Sequence, residues 1–144
     1  EKGGSYRLFI WSKTLELIRM RPLTGFGIET LGQVMGQYFE NDIVQVTGHH
    51  LVIDRAHNEY LHIAVSSGVP EVLSYLAFES ATLYQGFKNW RYSPLLVPLV
   101  CSIAAYMAAA CFNISVVSVA PVFWIFCGVT VHLSGEIQSN LNMI

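Results

Sequence analysis

His57 stands where the chain passes from a polar to an apolar composition, and Asn58 and Tyr60 follow it closely. A histidine can take up or release a proton near neutral pH, which makes His57 a candidate general base. A histidine that only holds a neighbouring loop by a hydrogen bond would have the same sequence surroundings. Residue type and position leave both interpretations open.

Four arginines accompany this histidine in the polar part of the chain: Arg7, Arg19, Arg21 and Arg55. The planar guanidinium group can bind a phosphate through two parallel hydrogen bonds. The four side chains therefore suit a lipid-linked pyrophosphate, and they equally suit the anionic head groups of a membrane surface.

A metal site is the other chemistry that this segment suggests, because acidic residues and histidines are close together in it: His49, His50, Asp54, His57, Glu59 and His62. Their spacing is not that of a zinc site, and no cysteine joins them. His57 and His62 are five residues apart and do not share a helix face. No nucleotide-binding motif occurs, and basic residues and aromatics are too few for nucleic-acid binding. We expect no metal, cofactor or nucleic acid.

The elements that must position these residues begin with short helices. Residues 5–20 have apolar positions at three- and four-residue spacing, which predicts an amphipathic helix with Ser5 as its N-cap. A turn follows at Pro22, Gly25 and Gly27, and a second helix is predicted over 28–39. Residues 40–55 are polar and show no convincing periodicity.

The second half of the chain is strongly apolar. Only 12 % of all residues are charged and 53 % are apolar, with a mean hydropathy of +0.44. Residues 93–133 contain no Asp, Glu, Lys or Arg, and as a helix they would extend about 60 Å. That length is about two crossings of a hydrocarbon core. The three cysteines lie in this apolar part, where they suit packing better than disulfides.

Residues 58–87 allow two interpretations, because Gly68 and Pro70 interrupt an otherwise helical pattern. One is a broken entry followed by a membrane helix at 69–87. The other is a single long helix partly above the bilayer. Pro70 suits the first turn of a new helix, and we favour the break.

These patterns predict an all-α, multi-pass membrane protein with an extracytoplasmic helical segment. Residues 1–60 form that segment, and residues 61–144 hold spans at about 69–87, 93–112 and 117–134. The basic and aromatic connection 88–92 is predicted to be cytoplasmic, which puts His57 outside. Because the chain opens with Glu1 and shows no leader, we read it as the C-terminal part of a longer protein.

Four strings of residues, in this order and spacing, resemble the O-antigen ligase and polymerase superfamily. They are Arg7-Leu8-Phe9-Ile10-Trp11, Arg21-Pro22-Leu23-Thr24-Gly25-Phe26-Gly27, Ala56-His57-Asn58-Glu59-Tyr60-Leu61 and Ser67-Gly68-Val69-Pro70. Asp54 and Arg55 stand where many relatives carry a second histidine. The motifs cover residues 5 to about 85, and hydropathy alone extends the likeness further.

The resemblance implies a metal-independent glycosyltransferase, either ligase or polymerase, on the outer face of the bacterial inner membrane. Its donor would be a glycan on undecaprenyl pyrophosphate, its acceptor a glycan or lipid, and membrane lipids would surround it. His57 would deprotonate the acceptor hydroxyl and Arg7 would bind the pyrophosphate. Arg21 is a second pyrophosphate candidate, and Arg55, Asn58 and Tyr60 are further candidates for substrate binding.

Two other classes of function stay open at the level of sequence. Glu71 and Glu79 lie within the predicted first span, where a carboxylate normally faces protein or water. They suggest a transporter or flippase fragment. A non-catalytic assembly subunit is the third possibility.

Overall fold

The computed structural model describes residues 6–143, and these residues form six α-helices and no strand. The helices are α1 (Arg7–Met20), α2 (Leu31–Thr47), α3 (Glu59–Ser67), α4 (Val69–Asn89), α5 (Leu96–Ala110) and α6 (Ala120–Leu141). The predicted all-α class is confirmed for this part of the chain. The expected N-cap, Ser5, lies outside the described residues.

The chain divides into two compact units. Unit 1 holds Glu1–Leu73 together with Cys111–Ile114, and unit 2 holds Ser74–Ala110 together with Ser115–Ile144. The candidate site residues named from the sequence all belong to unit 1. Each unit has its own set of buried apolar side chains.

Unit 1 is built around the buried face of α1. Ile10, Thr14, Leu17 and Ile18 are buried at three- and four-residue spacing, as an amphipathic helix requires. They pack with apolar residues of α2 and α3, among which Met35 is fully buried. The helix ends at Arg21 because Pro22 follows and disfavours helical backbone there.

Helix α2 differs from its prediction. It continues to Thr47, with a kink at Phe39, whose backbone is not helical. The segment after the kink was expected to be irregular, and it is helical as far as Thr47 because tertiary contacts hold it. Ile43 is buried in the core, and Asp42 forms an ion pair with Lys13 of α1 at 2.7 Å. Gly48, with φ of 81°, ends the helix.

The chain breaks between α3 and α4 at Gly68, where the sequence predicted a break. Gly68 has φ of 100°, and Val69 begins the next helix. The break lies against the turn after α1, since the Val69 N–H donates to the Pro22 carbonyl at 2.7 Å and the Phe26 N–H donates to Val65 at 2.9 Å. A Cβ on Gly68 would overlap the backbone of Leu23. The turn after α1 and the break at Gly68, which are separate motifs in the sequence, are therefore in close contact with each other.

Unit 2 contains most of α4, with α5 and α6, and it buries several polar side chains beside an apolar core that includes Ile103 and Phe123. Its fully or almost fully buried polar side chains are Glu79, Thr82, Asn89, Thr130 and Ser134. Many of its large apolar side chains are exposed, among them Tyr84, Phe87, Val97, Val122, Trp124 and Ile125. Thr82 and Thr130 donate hydroxyl hydrogen bonds to the carbonyls of Phe78 and Phe126, four residues earlier.

One helix among residues 6–143 is both long and apolar enough to cross a membrane, namely α6. Helix α5 is apolar but has 15 residues, about 22 Å. Helix α4 has the length for a crossing but carries acidic and basic residues. Where spans 93–112 and 117–134 were predicted, the helices are Leu96–Ala110 and Ala120–Leu141, and residues 111–119 between them are not helical.

Candidate active site

His57 lies immediately before α3 in an unusual backbone conformation. Its φ is 50°, in the left-handed region that few non-glycine residues occupy. The imidazole is exposed and forms no hydrogen bond to another described residue, whereas the preceding Ala56 is fully buried. An exposed histidine on a fixed backbone is available to exchange a proton with a bound molecule.

A side chain of α1 holds the backbone next to His57. The Trp11 indole N–H donates a hydrogen bond of 2.9 Å to the carbonyl oxygen of Ala56. Since the indole nitrogen is a donor only, this bond fixes the direction of the Ala56 carbonyl. Trp11 belongs to the first motif of the sequence, but no role was predicted for it. The one feature of the sequence that pointed to such a role is its spacing of four residues from Arg7.

The spacing of four residues between Arg7 and Trp11 places both of them at the same end of α1. Residues four apart lie on one face of a helix, about 6 Å apart along the axis. Arg7 therefore lies one turn from the side chain that binds the residue before His57. It is exposed and forms no ion pair within residues 6–143. Arg7 and the backbone next to His57 therefore both lie at the N-terminal end of α1.

Arg21 lies at the opposite end of the same helix, about 21 Å from Arg7 along the axis. Its guanidinium carbon lies 4.8 Å from the centre of the Phe26 ring. Helices α1 and α3 run in the same direction, because Trp11 contacts the start of α3 and the turn after α1 contacts its end. The structure does not bring Arg21 to the His57 end.

Asn58 is the N-cap of α3, and both ends of its amide are used. Its Oδ1 accepts the Leu61 N–H at 3.0 Å, and its Nδ2 donates to the carbonyl of Cys111 at 2.9 Å. An N-cap side chain satisfies a backbone donor that the helix leaves unpaired. The role shown here is positional, and the substrate contact expected from the sequence stays a prediction.

Arg55 and Tyr60, the other two candidates for substrate binding, are also engaged within the protein. The Arg55 guanidinium donates to Glu29 at 2.7 Å, in an ion pair that joins the segment before α3 to the turn before α2. Tyr60 is half-buried in α3 and has contacts of its own. Unlike Arg55, which pairs with Glu29, and Arg21, which lies over the Phe26 ring, Arg7 forms no ion pair or cation–π contact with residues 6–143.

His62 is the second histidine of the site region, and the sequence treated it only as a metal candidate. Its Nδ1 atom is buried and has no hydrogen-bond partner within residues 6–143. Burial lowers the pKa of His62, and the positive charge of Arg55 lowers it further. A histidine that resists protonation in this way adds no positive charge beside the catalytic candidates at neutral pH.

The remaining candidates do not assemble into a site. Among residues 6–143 no group of three or more His, Cys, Asp or Glu side chains is arranged to hold a metal ion. Glu71 is exposed in the first turn of α4, while Glu79 is buried.

A family model described as O-antigen ligase matches residues 1–76, which includes Arg7, Trp11, Arg21, His57 and Asn58. No curated protein and no solved structure matches the chain.

Proposed function

This chain belongs to the O-antigen ligase family, and we propose from that premise that it is a glycosyltransferase of the bacterial inner membrane. It transfers or polymerises a glycan carried on undecaprenyl pyrophosphate. The acceptor is a hydroxyl group of a second glycan or of a lipid. The family is one of membrane enzymes that handle O-antigen, and the donor, the acceptor and the residue roles are our proposal.

In the proposed step, His57 removes the proton of the acceptor hydroxyl while its oxygen attacks the anomeric carbon of the donor. The bond from that carbon to the pyrophosphate oxygen breaks, and the undecaprenyl pyrophosphate leaves with the electron pair. Arg7 binds the pyrophosphate and stabilises the negative charge that develops on it. A base and a cation suffice because pyrophosphate is already a good leaving group, so the step as proposed uses no metal.

The observation that carries this assignment is the hydrogen bond from Trp11 to Ala56. It fixes the backbone beside His57 to the α1 face that bears Arg7. The base acts on the attacking hydroxyl and the cation acts on the leaving pyrophosphate. Both groups meet at the same anomeric carbon, so the base and the cation must be close. Trp11 links the part of α1 that carries Arg7 to the backbone next to His57, although these residues are far apart in sequence.

The other predicted contacts take different parts of the substrates. Arg21 is too far along α1 to bind the same pyrophosphate as Arg7, and we assign it to a more distant part of the donor or acceptor. Arg55 and Tyr60 flank His57 in sequence and are proposed to line the acceptor side. Any contact of Arg55 with a substrate competes with its ion pair to Glu29.

The buried polar side chains and the exposed apolar surface of unit 2 support a membrane location with three crossings, at about 69–87, 93–112 and 117–134. Buried threonines that bond to carbonyls of their own helix and exposed aromatic and branched side chains are what a hydrocarbon solvent favours. With the connection 88–92 on the cytoplasmic side, His57 and Arg7 face outward, where lipid-linked glycans are assembled.

The test is glycan transfer by the purified protein in proteoliposomes. A polyprenyl-pyrophosphate glycan should serve as donor in the presence of a chelator, and a nucleotide sugar should not. One added unit per acceptor identifies a ligase, and a ladder of products identifies a polymerase. Transfer that requires a nucleotide sugar, or that a chelator abolishes, would reject the proposed chemistry.

A further inference from the structure

The short segment Cys111–Ile114, which follows α5, belongs to unit 1 with the candidate site. It lies outside the residues that match the family model, and its sequence carries no recognisable motif. We refer to it as the 111–114 segment. Two of its residues contact side chains that hold the backbone on either side of His57.

The first contact is the hydrogen bond from Asn58 to the Cys111 carbonyl. The orientation of the Asn58 amide follows from its other bond, since Oδ1 must accept the Leu61 N–H and Nδ2 is then the donor to Cys111. One residue after His57 is therefore fixed both to α3 and to the 111–114 segment.

The second contact is between aromatic rings. The rings of Trp11 and Phe112 lie with their centroids 6.1 Å apart, in a tilted arrangement that is favourable for aromatic pairs. Trp11 is the residue whose indole N–H holds Ala56. One residue before His57 is therefore held by a side chain that itself packs on the 111–114 segment.

We infer that the 111–114 segment is a positioning element of the active site, which acts on His57 through Asn58 and Trp11, and that Asn58 positions His57 instead of binding substrate. The inference rests on the proposed function. His57 has a left-handed backbone that costs energy for a non-glycine residue, and such a conformation persists only where neighbouring contacts hold it. The contacts through Asn58 and Trp11 flank it on both sides.

The expected consequence is kinetic. Loss of the bond to Cys111 lets the His57 backbone relax without removing the imidazole or the Arg7 guanidinium. A displacement of about 1 Å at a reacting group lowers turnover by about 10²-fold. Donor binding, which depends on Arg7, changes little. Turnover should fall, while the KM for the lipid donor and the thermal midpoint stay nearly constant.

The test is the variant pair Asn58→Asp and Asn58→Ser. Both residues keep an N-cap acceptor; the aspartate carboxylate has no donor, and the serine hydroxyl, one bond shorter than the Asn58 amide, does not reach Cys111, while Asn58→Ser also controls for the charge that aspartate introduces. In proteoliposomes both should lower kcat by roughly 10- to 100-fold with the donor KM within about two-fold. The matched control is Asn41→Asp on the exposed face of α2, which should leave kcat unchanged. An unchanged kcat in Asn58→Ser, or a raised acceptor KM at normal kcat, overturns the inference.

Phe112→Ala removes the second contact of the 111–114 segment, which is the ring packing with Trp11. It tests the positioning role independently if the Asn58 variants fail to insert into the membrane. It should lower kcat by roughly tenfold, whereas Phe87→Ala, at an exposed aromatic of unit 2, should not. Normal turnover in Phe112→Ala contradicts a positioning role. The proposed function fails separately: if His57→Ala is fully active, the chemistry itself is wrong, whatever the Asn58 variants do.

Discussion

At the scale of single residues, the proposed site depends on one histidine, His57, whose backbone conformation is disfavoured. A left-handed conformation costs a non-glycine residue about 1–3 kcal/mol, and in functional sites the surrounding contacts hold it in place. His57 has that conformation, is exposed, and lies between a buried alanine and an N-cap asparagine. A purely structural histidine would use its ring for a hydrogen bond within the protein, and the His57 ring forms none to residues 6–143.

Arg7, at the start of α1, and Arg21, its C-cap, should respond differently to the same substitution. Arg7→Lys keeps the positive charge but loses the planar two-bond grip on phosphate, so we expect a fall in kcat/KM of at least about tenfold. Arg21→Lys, at the far end of the helix, should have a smaller effect. The measurement is transfer as a function of donor concentration for both variants. Equal effects at the two positions would contradict the placement of the pyrophosphate beside Arg7.

His62 predicts a dependence of stability on pH. Because burial and Arg55 lower the pKa of His62 below its ordinary 6.5, the unfolded chain binds a proton at a higher pH than the folded chain does. The stability associated with neutral His62 is present above pH 6.5 and is lost as the pH falls towards the lowered pKa. Thermal midpoints in detergent should fall less between pH 7 and 5.5 in His62→Gln than in the wild type. His49→Gln, at an exposed position, should follow the wild type, and a His62→Gln curve parallel to wild type would refute this account.

At the scale of elements, the turn after α1 and the junction between α3 and α4 lock together through two glycines. Gly25 has φ of 63°, and a Cβ there would overlap the backbone of Ser66. A Cβ on Gly68 would likewise overlap the backbone of Leu23, in the turn after α1. The lock holds the C-terminal ends of α1 and α3 together, while Trp11 and Ala56 hold their opposite ends.

Substitution of these glycines should therefore destabilise unit 1. Gly25→Ala and Gly68→Ala each force an L-residue into left-handed backbone, at about 1–2 kcal/mol, before the overlap is counted. Gly36→Ala is the matched control, since its Cβ would meet open space within helix α2 and should stabilise by up to about 1 kcal/mol. Thermal midpoints of the three variants in detergent measure the difference. Similar midpoints in all three would show that the contact is not rigid.

Sequence periodicity predicted α1, the turn at Pro22–Gly27 and the break at Gly68, because each depends on local chemistry. Periodicity predicted that α2 ends near Phe39, where the structure has a kink. The helix continues because Lys13, which is distant in sequence, holds the part beyond the kink. The same limit applies to the site. His57 and Arg7 were chosen by residue type and resemblance, while Trp11, Cys111 and Phe112 act through contacts that no local pattern encodes.

At the scale of the whole molecule, unit 1, which carries the candidate site, is joined to unit 2, which exposes many large apolar side chains and buries several polar ones beside its apolar core. The family is one of membrane proteins, and α6 is long and apolar enough to cross a bilayer. A membrane enzyme that acts on lipid-linked substrates needs its reactive groups at the surface of the bilayer. The proposed topology puts His57 and Arg7 on its outer side.

That topology can be tested by cysteine labelling in intact cells, in a background in which the native cysteines are replaced by serine. His50→Cys should react with a membrane-impermeant maleimide without permeabilisation, because His50 is exposed in unit 1. Arg91→Cys, in the basic connection after α4, should react only after permeabilisation. The reverse pattern would place the site on the cytoplasmic side.

The most direct test of the central claim is the turnover of His57 variants. Purified His57→Ala and His57→Gln proteins, assayed for transfer from a polyprenyl-pyrophosphate glycan, should turn over about 10²- to 10⁴-fold more slowly than the wild type. Membrane insertion and thermal midpoint should be retained, because the imidazole forms no hydrogen bond within the described chain. Glutamine keeps hydrogen bonding but cannot accept the proton, so it should not rescue activity. Near-normal turnover in both variants would contradict the assignment of His57 as the base.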